Sequence, residues 1–232
     1  MQIGIFGYQS YIMTTFELTG GAKIGRSRTS YPFVVLKTDR NKLEINASVI
    51  GNFVFQPTDV IAMEVYTQLF GMNKGIQILH KVQGYNSSII FLTLKDPKWV
   101  IEQINATGFT KNIDGIPTTI SKQILLKQQQ GPFPIRKSYG LVIAALWIVL
   151  ILTDIVNVVI TKDMTPGFGL GMISAMGMMF CCCLLLLISS DFRRIVLKEG
   201  REVDDIKRFA IFLMAIMGIM LISLSVMVTF LF

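Results

Sequence analysis

The chain has 232 residues, of which 52% are hydrophobic and only 16% charged, with 22 Lys/Arg against 15 Asp/Glu. Charged residues make up about a quarter of an ordinary soluble protein, so this composition excludes one. The apolar residues are also unevenly spread: residues 1–130 read as a mixed soluble sequence, whereas 139–232 hold three long apolar runs.

The opening "MQIGIFGYQSYIMTTFE" has no basic start, sustained apolar core or small-residue cleavage site, so no secretory signal is expected. Short β-type runs separated by turn residues follow, at 12–18, 31–38, 42–48, 52–56, 60–66, 75–82 and 88–95. Leu43 and Ile45 alternate with Glu44 and Asn46, as a strand with one face in water should. Asp39-Arg40-Asn41 and residues 84–86 mark hairpin turns. The period then changes. "DPKWVIEQINATGF" offers Asp96 as N-cap, Pro97 at the first helical position and Gly108 past the end. Trp99, Val100, Ile104 and Ala106 form its apolar side.

Seven short antiparallel strands closed by one helix, the tryptophan in that helix and the run "FQPTDVIAMEVY" resemble the pleckstrin-homology-like (PH-like, GRAM-like) domains of bacteria, across residues 12–109. The resemblance implies a bent sheet whose open end is plugged by the helix, and binding of lipid head groups or protein segments rather than catalysis. A small Greek-key barrel is the competing all-β reading, and it requires no terminal helix. The resemblance also directs attention to the first hairpin loop. There "GGAKIGRSRTSYP" (20–32) places Lys23, Arg26 and Arg28, cations suited to phosphate, as lipid-binding candidates. The plainer alternative is a solvated basic loop of the kind found beside any cytoplasmic membrane face.

Catalysis has little support. His80 is the only histidine, and no nucleophile motif, phosphate-binding loop or metal-spaced cluster occurs. No catalytic residue, metal, cofactor or nucleic-acid partner is expected. Residues 111–138 read as a linker with a short amphipathic helix carrying Ile120, Ile124 and Leu125, ended by "GPFP" at 131–134. That helix suits either the membrane surface or the flank of the soluble domain.

The apolar runs cover about 139–160, 167–189 and 209–232. About 20 helical residues cross a bilayer core, so three transmembrane helices are predicted and the fold class is an α+β membrane protein. The loop after the second run holds Arg193, Arg194, Lys198, Arg201, Lys207 and Arg208, the loop before it only Lys162, and Arg136 and Lys137 precede the first run. By the positive-inside rule the soluble domain faces the cytoplasm and the C-terminus lies outside a plasma (inner) membrane. The glycosylation triplets at Asn46, Asn86 and Asn105 are then chance matches.

Asp154 is the one charge well inside a run. Depth counting places Asn157, Ser174, Ser225 and Thr229 in the same layer, which is either an ion-responsive site or interhelical hydrogen bonding. Gly167, Gly171 and Ala175 form a small-residue stripe, with Gly177 on a neighbouring face, suited to close helix packing within the chain or in a homo-oligomer. The consecutive Cys181, Cys182 and Cys183 point about 100° apart on a helix and cannot share one metal ion, so they serve as small apolar packing groups. Taken together, the expected function is a non-catalytic, membrane-anchored adaptor or scaffold subunit whose PH-like domain binds a protein partner or the anionic membrane surface. The alternative is a channel or transporter subunit built around Asp154.

Overall fold

The computed structural model describes residues 14–68, 73–112, 115–161 and 170–231. They fall into two compact units, Met1–Pro132 and Phe133–Phe232.

In the first unit seven antiparallel strands curl into a half-barrel. They are β1 (Thr15–Ile24), β2 (Ser27–Asp39), β3 (Leu43–Asn46), β4 (Asn52–Phe55), β5 (Val60–Thr67), β6 (Lys74–His80) and β7 (Ile89–Leu92), in the order β4-β3-β2-β1-β7-β6-β5. Every predicted strand has a counterpart; residues 12 and 13 of the first lie outside the described residues. Alternation places Leu43, Ile45, Ile76, Ile78, Ile89 and Phe91 wholly inside. The β2–β3 turn is held by Asp39, whose Oδ1 accepts the N–H groups of Asn41 and Lys42 at 2.7 and 3.0 Å. The predicted turn at 84–86 instead belongs to a longer loop between β6 and β7 that carries Tyr85 into the core, edge-on to Phe53 and Phe55.

The helix α1 (Pro97–Ala106) packs on this sheet. The Asp96 side chain accepts Lys98 N–H at 3.1 Å as its N-cap, and Gly108 takes the left-handed conformation beyond its end. Val100 and Ile104 are wholly buried, Trp99 lies edge-on to Phe16 at 5.8 Å, and Ala106 faces water. A second helix, α2 (Thr118–Gln129), lies against β4. Gln128 Nε2 donates to Val54 O at 3.0 Å and to Asp59 Oδ2 at 2.7 Å, and Ile124 is buried. The amphipathic segment thus packs on the flank of the first unit.

The largest departure from the sequence reading concerns residues 19–30, left between the predicted strands at 12–18 and 31–38. All but Gly25 and Arg26 are strand: β1 runs through Gly20 and Gly21 to Ile24, and β2 begins at Ser27. The β1–β2 register shifts between Gly20 and Ala22, where β1 also takes up β7 as a partner. A Cβ on Gly20 would overlap Leu92 O, so glycine here permits close approach of backbones and marks a bulge.

The second unit contains α3 (Lys137–Thr161), α4 (Leu170–Ile188), the short α5 (Ser190–Val196) and α6 (Lys207–Leu231), with α4 packed against both α3 and α6. Among the described residues two helices, Lys137–Asn157 and Leu170–Ile188, are long and apolar enough to cross a membrane, where the sequence predicts three. The third run does form one helix, α6, but its described side chains end at 223 apart from Val226, short of a full span, and it begins with Lys207 and Arg208.

Candidate functional site

The three cations predicted to bind lipid share one feature, the tip of the β1–β2 hairpin. Gly25 and Arg26 form its two-residue turn, with Gly25 at φ 57°, a conformation that a tight hairpin assigns to glycine. Lys23 on β1 lies directly opposite Arg28 on β2. Opposed like charges on adjacent strands repel. Each finds a separate partner: Lys23 Nζ lies 5.9 Å from the Tyr66 ring centre, and Arg28 Nη2 donates to Asn73 Oδ1 at 2.5 Å. Asn73 in turn donates to Gln68 Oε1 at 2.9 Å.

Below the tip is a cavity of about 210 Å³, lined by Arg28, Ser30, Tyr31, Asn73 and Lys74 among others, with Gly20 and Gly21 along the bulge. Tyr31 is 59% exposed at its edge. The sequence reading missed Tyr66, Asn73 and Lys74, because β5 and β6 reach the hairpin only through the β1–β7 pairing, and it passed over Tyr31 on β2 itself. The charge excess in 20–32 was the one signal available, and it marks one wall.

The predicted intramembrane layer is assembled differently. Asp154 on α3 accepts Gly171 N–H through Oδ1 at 2.9 Å and Met172 N–H through Oδ2 at 2.7 Å. These are N-terminal donors of α4, which no intrahelical carbonyl can satisfy, and a carboxylate also complements the positive end of the helix dipole. Ser174 and Asn157 are exposed. Ser225 and Thr229 fall on the last turns of α6, where side chains lie outside the described residues. Asp154 and the start of α4 are thus joined through main-chain donors.

Of the small residues, Gly171 lets α4 meet α3: an added Cβ would overlap Leu150 O and Thr153 Oγ1. Ala175 is buried, Gly177 has open space where a Cβ would sit, and Gly167 lies outside the described residues. Cys181 is exposed, Cys182 intermediate and Cys183 buried, as three directions around one helix require. Among the described residues no group of three or more His, Cys, Asp and Glu could hold a metal ion. His80 Nε2 lies 2.9 Å from Asn86 O, and its ring packs against Phe55 and Tyr85.

No protein-family model matches this chain, and no curated protein matches it.

Proposed function

We propose that this protein is a membrane-anchored, non-catalytic adaptor or scaffold subunit. Its first unit acts as a PH-like domain facing the cytoplasm and engages anionic lipid head groups through the β1–β2 hairpin, and α3, α4 and α6 hold it in the membrane. The observation that carries the binding site is the placement of Lys23, Arg26 and Arg28 on one hairpin tip, with Lys74 in the cavity beside them. A phosphate drawn to this tip would relieve the repulsion between Lys23 and Arg28. The strand order, with α1 packed on the sheet, supports the PH-like reading.

Membrane anchoring is supported by α3, whose most apolar stretch has no buried residue. Leu141 is 71% exposed, Val159 70% and Ile160 73%. An array of large apolar side chains of this kind is stable in hydrocarbon and costly in water. The channel alternative has weaker support, because both Asp154 oxygens already serve as acceptors for α4.

The test is co-sedimentation of residues 1–132 with liposomes at low salt. Binding is expected to phosphatidylcholine mixed with phosphatidylglycerol and not to phosphatidylcholine alone. Reversing Lys23, Arg26 and Arg28 to Glu should weaken it at least about tenfold, since each well-placed cation contributes about 1 kcal/mol. A fragment that ignores anionic liposomes would refute the lipid reading. Capture of one defined protein by crosslinking in native membranes would favour the protein-partner form of the adaptor.

A further inference from the structure

The segment between α4 and α6 reads in sequence only as a basic loop that sets orientation, but it folds into a definite site. Leu186, Val196, Leu197, Ile206 and Ala210 make a buried apolar cluster, with Ile135 and Phe192 packed against it. Beside this cluster the chain entering α3 is clasped to the chain leaving α5 by the antiparallel Ile135–Leu197 bridge. Arg136 N–H donates to Val196 O and Lys198 N–H to Pro134 O, both at 2.9 Å. A cavity of about 680 Å³ opens next to the clasp. That is within the usual size range of a small-ligand site, about 300–1,000 Å³.

Five cationic side chains line it, Arg136, Arg193, Arg194, Lys198 and Arg201, against three carboxylates, Glu199, Glu202 and Asp204. Asp204 is paired with Lys207 at 3.7 Å, outside the lining, and Glu199 and Glu202 face water. Arg201 is buried against Asp205, which lies at 3.8 Å. Two guanidinium groups are also aimed. Arg136 Nε donates to Leu197 O at 2.9 Å, and Arg193 Nε donates to Ser189 O at 3.2 Å. Anchoring Nε to a backbone carbonyl fixes the plane of the fork and presents its terminal amino groups to a ligand. The Lys198 ammonium is held below the usual lysine range, first by partial burial and then by the charges of Arg201 and Lys137.

We propose that this cavity binds a phosphate-bearing anion, with Arg136, Arg193 and Arg194 as a guanidinium clamp and Lys198 as a point charge. Several forks converging from α5 and from the start of α3 suit the tetrahedrally arranged oxygens of a phosphate better than a planar carboxylate. The phosphate comes either from an anionic phospholipid head group or from a free phosphate compound. The lipid source rests on the membrane placement proposed above; the free source does not, so the two proposals can fail separately.

The experiment uses the full-length protein in neutral detergent. Phosphatidylglycerol and inorganic phosphate are titrated separately, with phosphatidylcholine as the neutral control, and bound ligand and melting temperature are both read. Arg194→Gln removes a cation that makes no hydrogen bond among the described residues, so the clasp stays intact. Arg136→Lys keeps the charge but loses the fork. Each variant should weaken binding about tenfold, the loss of one charge-assisted hydrogen bond. Preference for phosphatidylglycerol without a response to inorganic phosphate identifies a lipid head group, and the reverse identifies a free phosphate. The proposal is overturned if neither probe binds, if both variants bind as the wild type does, or if polyglutamate binds more tightly than either phosphate probe.

Discussion

Both oxygens of Asp154 receive backbone N–H groups, from Gly171 and Met172, so one side chain on α3 satisfies two of the four open donors that begin α4. A hydrogen bond to a charged group contributes about 1.5–3 kcal/mol. Asp154→Ala should therefore destabilise the second unit by roughly 3 kcal/mol, and Asp154→Asn, which keeps one acceptor oxygen, by about half that. Unfolding of the full-length protein in mixed micelles, followed by helical circular dichroism, measures both. An Asp154→Asn protein that unfolds normally yet abolishes ion flux in reconstituted vesicles would restore the channel reading. The sequence singled out Asp154 as a residue needing a partner and named side chains at the same depth. The donors that the structure adds, Gly171 and Met172 N–H, are main-chain groups, which nearly every residue carries and no letter distinguishes.

The strands show the same division between what a pattern displays and what it hides. Alternation revealed β3 through Leu43 and Ile45, because one face of that strand is core and the other is not. It could not reveal the outer halves of β1 and β2, where glycines and cations resemble a loop. Those residues are strand because Gly20 and Gly21 bring the β1 backbone against β7, a long-range contact absent from any local window. The edge strand β4 gives a second case. Its outward groups are taken by α2 and the segment after it: Gln128 donates to Val54 O, and Asn52 N–H donates to Pro132 O at 2.8 Å. Gln128→Ala would leave a buried carbonyl without its donor, a cost of about 1–3 kcal/mol. The expected result for residues 1–132 is a melting temperature lower by roughly 5 °C or more. An unchanged melting temperature would mean that α2 contributes little to the unit.

At the scale of the whole chain, the break falls at Pro132–Phe133, after α2. Two fragments test the boundary. One ending at residue 132 should unfold in a single cooperative transition, and one ending at residue 110 should melt earlier and over a wider range, because β4 loses its cover. Equal transitions would show that residues 111–132 are dispensable. The sequence placed this stretch in a linker with an amphipathic helix, and its attachment combines the buried Ile124 with polar contacts through Gln128 and Ser121, which the apolar pattern does not display. The Asp154 cap also bears on the order in which the protein is made. A growing chain completes α3 before α4 begins, so the acceptor is already in place when the Gly171 and Met172 amides emerge from the ribosome. The first turn of α4 need never wait for a later segment to supply its partner, and synthesis and assembly can run in the same direction.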